Sequence, residues 1–219
     1  MRFLQFMLTV IWLSFGWLCF SALHWQKPME PPWHAVPMLE KLNSEAQNRN
    51  GNAEEYLNNI ITKHKFYLTQ SDITGGERAN TNYRLARNYW LLAYQQTSYV
   101  KQTAYLELAI NELMLSLNYW SSQEFQSRPY ISRQIAENEY GVADLHLQLK
   151  EYDKAEIYFL KAMKRAPGNS LYFDRYKNLL EESGFENKID TEDYFSPRHR
   201  PNQRPSGPNM NTHQPPAPN

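Results

Sequence analysis

The clearest hydrophobic pattern in the chain lies in residues 139–167, where apolar and small residues recur in steps of three and four. This spacing places them on one face of a helix, first before and again after a polar turn at residues 150–153. Pro167 ends the second helix because proline cannot continue one. The pattern therefore predicts a helical hairpin. Its predicted packing residues are Val142, Ala143, Tyr152, Ala155, Phe159, Ala162 and Pro167.

The same spacing predicts further helices on both sides of this hairpin. They are expected at residues 38–49, 53–70, 80–96, 102–120 and 171–182. Asn169 or Ser170 is predicted to cap the last of them, and Gly184 to end it. Gly75 and Gly76 are predicted to lie in a turn. These helices and the hairpin together predict an all-α fold.

The hairpin resembles a tetratricopeptide repeat in the small residue Ala143, in Tyr152 at the start of the second helix, and in the residues that follow to Pro167. The match spans about residues 138–169, close to the family's period of about 34 residues. It departs from the family at Ala143, where Gly is usual, and at His146, where Tyr is usual, and no Trp lies near its start. The resemblance implies antiparallel hairpins in a right-handed stack that binds other proteins.

A second, degenerate hairpin of the same kind is predicted over about residues 80–120. Ala109, Leu113 and Ser116 repeat the spacing of Ala155, Phe159 and Ala162. Residues 121–129 form a longer connection than a repeat normally has, so the two units are not expected to stack regularly.

Residues 3–25 are predominantly apolar and uncharged, and a run of about 20 such residues can cross a bilayer. A cleaved signal peptide would have a shorter apolar core and a small-x-small cleavage site, and residues 19–21 fit such a site poorly. A transmembrane helix is therefore favoured, with Trp25 at the far interface. Arg2 before the span, against Lys27 after it, favours an internal N-terminus and an external domain.

The composition divides the chain into four parts. Residues 1–26 form the anchor or signal sequence, and residues 27–37 form a Pro-rich stalk expected to be an extended spacer. Residues 38–185 form the helical domain. Residues 186–219 form a Pro- and Asn-rich tail that is predicted to be disordered because it has few apolar residues.

Charge and motifs argue against several classes of function. Lys+Arg and Asp+Glu each number 23, so no net charge favours nucleic acid. The six His form no HxH or HExxH pair, and Cys19 is the single cysteine, so no metal or cofactor site is predicted. His64 is interpreted as a helix-face histidine. No GxSxG motif is present, and Glu151 and Glu156 are expected on solvated faces, so the chain is not predicted to be an enzyme.

One edge of the first helices carries aromatic residues with an Arg and an Asp, which suit a peptide groove because they offer rigid contact area and a polar contact. The alternative that these rings pack in the core stays open. The candidate groove residues are Tyr83, Arg87, Trp90, Tyr94, Tyr140, Asp144 and Leu147.

These features together predict a membrane-anchored scaffold that binds a protein or peptide, as an assembly component of an envelope complex. If the source is bacterial, the domain is expected on the periplasmic face of the inner membrane. Two alternatives are a soluble secreted or periplasmic binding protein, if the leader is cleaved, and a purely structural helical subunit.

Overall fold

The protein is all-α, as the sequence predicts. The computed structural model describes residues 28–32, 36–48, 51–123 and 129–196. Eight helices lie in these ranges, and consecutive helices pack in antiparallel fashion, with the most extensive contacts in the pairs α3–α4 and α5–α6. They are α1 (Val36–Gln47), α2 (Ala53–Leu68), α3 (Gly75–Ala93), α4 (Tyr99–Ser122), α5 (Pro129–Gln148), α6 (Tyr152–Arg165), α7 (Ser170–Ser183) and α8 (Thr191–Tyr194).

Two large apolar clusters form the core, and α5 lies between them. Val142 packs in the first cluster, with residues of α1 to α5, and Ala143 packs in the second, with residues of α5 to α8. Both side chains are fully buried. Adjacent residues of α5 thus pack in two different clusters, one on each side of the helix. Small or branched residues on both sides let neighbouring helices approach α5 closely.

The start of α3 corrects the prediction that Gly75 and Gly76 form a turn, since both are helical. The Thr74 hydroxyl accepts the Glu77 N–H at 3.2 Å, and the Glu77 carboxylate accepts the Thr74 N–H at 2.8 Å. This capping box starts the helix five residues earlier than expected. A Cβ at Gly75 would lie 2.5 Å from Cε2 of Tyr119, so the close approach of α4 requires glycine there.

Helix α5 is also longer than its apolar pattern suggested, because it begins at Pro129 rather than near residue 139. Proline suits the first turn of a helix, where its missing N–H would have no helical partner. The added turns place Ile131 and Ile135 against Leu117 and Trp120 in a third, smaller cluster. This cluster joins α5 to the end of α4.

Helix α7 begins and ends as predicted. The Asn169 side chain accepts the Tyr172 N–H at 3.4 Å, and Gly184 adopts a left-handed conformation with φ of 73°. Glycine is the residue that takes this conformation most easily at a helix end.

The structure differs from the prediction at the start of the tail. Residues 186–196 fold back on the domain, where the buried Tyr194 ring stacks on Phe173 and its hydroxyl donates to the Ala166 and Asn169 carbonyls. Phe195 also packs edge to face on Phe173, and Lys188 Nζ donates to Glu156, so apolar and polar contacts together hold these residues on the domain.

The predicted remainder of the tail, residues 197–219, and the predicted anchor lie outside the described residues. Within the described ranges, no helix has both the length and the apolar character needed to cross a bilayer.

Candidate binding cleft

A cleft of about 410 Å³ opens between α1, α3 and α5. Met38 of α1 lies on one side, and Leu113 of α4 and Leu171 of α7 complete its walls. Five of the seven candidate groove residues line it: Tyr83, Arg87, Trp90, Tyr140 and Asp144. The other two, Tyr94 and Leu147, line a smaller cleft of about 190 Å³ at the C-terminal ends of α3 and α5.

The candidate residues Trp90 and Tyr94 both contact Gln148, a residue near the end of α5 that no sequence pattern marks. The Trp90 indole N–H donates to Gln148 Oε1 at 3.1 Å, and the Tyr94 hydroxyl donates to the same oxygen. The two rings meet edge to face, with centroids 6.1 Å apart. Trp90 is only 9% exposed, so its ring is largely part of the core.

Asp144 forms the centre of a buried polar network. It accepts Gln148 Nε2 at 2.6 Å through Oδ2, and Arg175 Nε at 2.7 Å through Oδ1. Arg175 Nη2 lies 2.6 Å from the same Oδ1, and the side chains of Arg175 and Asp144 are only 7% and 6% exposed. Trp90, Gln148, Asp144 and Arg175 therefore link α3, α5 and α7.

Burial dominates the acid–base behaviour of the tyrosines around this network. It raises the pKa of the Tyr94 and Tyr140 hydroxyls above the ordinary range, and the nearby Asp144 carboxylate raises both further. Burial likewise raises the pKa of Tyr83. All three phenols are thus neutral donors at physiological pH.

Arg87 supplies an exposed cation at the mouth of the cleft. Its Nη2 donates to the Met38 sulfur at 2.9 Å, and no carboxylate pairs with it in the described part of the chain. Glu137, also in the lining, lies 2.8 Å from Arg133. The Tyr140 hydroxyl is buried and has no hydrogen-bond partner among the described residues. The cleft therefore combines aromatic walls with the Arg87 guanidinium and the Tyr140 hydroxyl, which can donate hydrogen bonds to a ligand.

The predicted packing residues of the hairpin lie around the second core. Ala143, Ala155, Phe159 and Ala162 are fully buried, and Val142 is buried in the first core. Tyr152 and Pro167 are half-buried.

Two predicted surface carboxylates have different environments. Glu156 is 9% exposed and accepts Lys188 Nζ at 2.7 Å, which corrects the expectation that it lies on a solvated face. The reason is that residues after α7 fold back over α6. Glu151 lies 2.6 Å from His146 Nδ1 and 2.8 Å from Lys154 Nζ.

His64 lies 3.3 Å from the Asn88 amide, and burial lowers its pKa. No group of three metal-ligating side chains occurs in the described ranges.

Comparison of the chain with protein-family models, curated proteins and solved structures finds no match. The tetratricopeptide resemblance thus rests on the residues quoted above.

Proposed function

We propose that this protein is a membrane-anchored, tetratricopeptide-like scaffold that binds a protein or peptide partner during assembly of an envelope complex. The cleft between α1, α3 and α5 is its binding site. The N-terminal apolar segment holds the domain at the membrane, outside the cell's interior, on the periplasmic side if the source is bacterial.

The observation that carries this proposal is the convergence of five candidate residues on one cleft. Aromatic rings from α3 and α5 form its walls, and Arg87 offers an exposed charge at the mouth. Such a combination suits capture of an apolar side chain together with a polar backbone or carboxylate.

A purely structural role is the second candidate. It is favoured by the pairing of Asp144 with Arg175 and of Trp90 with Gln148, because these hydrogen bonds join groups within the domain and stabilise its own fold. The two functions differ in whether the cleft contacts another chain.

Site-specific photo-crosslinking in native membranes tests the proposal. A photoreactive phenylalanine at Tyr83, inside the cleft, should yield a discrete adduct, whereas the same group at the exposed Tyr130 should not. Arg87→Ala should abolish the Tyr83 adduct, while Arg84→Ala, one turn earlier on α3 and outside the main cleft, should preserve it. Equal labelling at Tyr83 and Tyr130, or no adduct at either, would favour the structural role.

The membrane attachment has its own test. Alkaline carbonate should leave the full-length protein in the membrane pellet, because an apolar span of about 20 residues is not removed by breaking polar contacts. Release of intact-length protein would exclude the anchor, and release of a shortened form would indicate a cleaved leader.

A further inference from the structure

A buried glutamine holds the main chain of the segment that precedes the domain. Gln102 is only 2% exposed. Its Oε1 accepts the Met29 N–H at 2.6 Å, and its Nε2 donates to the Met29 carbonyl at 3.1 Å. One carboxamide thus satisfies both main-chain groups of a residue 73 positions away.

This contact explains why a polar side chain lies at a buried position of α4. A buried carboxamide without partners destabilises a fold, because it loses its hydrogen bonds to water. Met29 also packs against the first apolar cluster. Residues 28–32 therefore pack on the folded domain, in the region where the sequence predicts an extended spacer.

The docked segment lies across one end of the domain. Met29, Glu30 and Pro32 form one wall of the smaller cleft. The opposite wall comes from the C-terminal ends of α3, α5 and α7, and we call this end the C-terminal rim. Its contributing residues include Tyr94, Leu147, Gln148, Lys150 and Glu182.

We infer that the Gln102–Met29 contact fixes the domain with its C-terminal rim facing the membrane. This inference rests on the proposed membrane attachment. Only four residue steps separate Trp25, the predicted interface residue, from Met29, and they span at most about 14 Å. A tether that short, fixed at Gln102, leaves the domain little freedom to turn over. The main cleft is then held at a set height above the bilayer.

Hydrogen exchange of the full-length protein in phosphatidylcholine nanodiscs tests the contact directly. Pro28, Pro31 and Pro32 carry no N–H, so Met29 and Glu30 supply all the amides of residues 28–32. The Met29 amide should exchange at least about tenfold more slowly than in an unfolded chain. Gln102→Leu should remove that protection while α4 keeps its own.

Thr103→Val is the matched control, because the Thr103 hydroxyl is buried without a hydrogen-bond partner in the described structure. It should leave the exchange of Met29 unchanged. Unprotected Met29 in the wild type, or protection that survives Gln102→Leu, would overturn the contact.

The orientation is measured by energy transfer from a dye on the domain to an acceptor on lipid headgroups. In a Cys19→Ser background, donors placed by Lys101→Cys and Ser121→Cys lie about 30 Å apart along α4. Transfer should be clearly greater from position 101, and Gln102→Leu should reduce the difference. Equal transfer, or greater transfer from position 121, would overturn the inferred orientation. Loss of the protein from the nanodiscs would instead refute the membrane attachment. The exchange rate of the Met29 amide would still test the Gln102–Met29 contact.

Discussion

The buried ion pair between Asp144 and Arg175 allows a sharp test of the core. Arg175→Met keeps much of the side chain's volume but leaves the Asp144 carboxylate without its cation at a site that is only 6% exposed. Removing one partner of a buried pair typically costs about 3–5 kcal/mol. That is a large share of the roughly 5–15 kcal/mol by which a domain is stable. We therefore expect Arg175→Met to lower the free energy of unfolding severely.

A double-mutant cycle shows whether the cost arises from the unpaired charge. Asp144→Asn removes the charge and keeps an oxygen for Gln148, so Arg175→Met should be much less harmful in that background. We expect a coupling free energy of about 2 kcal/mol or more, from urea denaturation of the full-length protein in micelles followed by circular dichroism.

Arg133→Met is the matched control. Arg133 lies 2.8 Å from Glu137, a similar distance, but its side chain is 78% exposed. Its loss should leave the free energy of unfolding nearly unchanged because water screens such a pair. Two results would refute the argument that burial makes the Asp144–Arg175 pair important. One is additive effects of Asp144→Asn and Arg175→Met on the free energy of unfolding, and the other is an equal loss of that free energy in Arg133→Met.

Three further predictions concern stability. Trp90→Ala should lower the free energy of unfolding by about 3–5 kcal/mol, because the ring is 9% exposed; an unfolding midpoint equal to that of the wild type would place the ring outside the core. Ala162→Leu should overpack the second core and cost about 1–3 kcal/mol, so an unchanged melting temperature would contradict the packing of α5 on α6. Hydrogen bonds from Thr74 lower the pKa of Glu77, so the capping box stabilises α3 above the unfolded pKa and is lost as pH falls through the folded one. Acid titration of helicity should show this loss, and Thr74→Val should make it smaller, because the hydroxyl contacts are gone while the main-chain N–H of residue 74 still donates to Glu77.

Local sequence determined most of the secondary structure. Steps of three and four predicted the hairpin of α5 and α6, because burial of one helix face requires that spacing. Asn169 and Gly184 marked the ends of α7 because their chemistry suits those positions. The early start of α3 was also present locally, in Thr74 and Glu77, as the pattern of a capping box.

The partners of the candidate residues were decided only by tertiary structure. The sequence leaves open whether Trp90 faces a groove or the core. Its ring lines the cleft, and its N–H contacts Gln148, 58 positions away. Helix periodicity states which residues share a face, and not which neighbouring helix covers it.

Arg175 and Gln102 show the same limit. No sequence pattern marks either residue, because an Arg or Gln on a helix is usually solvated. Arg175 meets Asp144 across 31 positions, and Gln102 meets Met29 across 73. Such pairs form only when the packing of several helices brings distant segments together and removes water from both partners, which is why no local pattern reveals them.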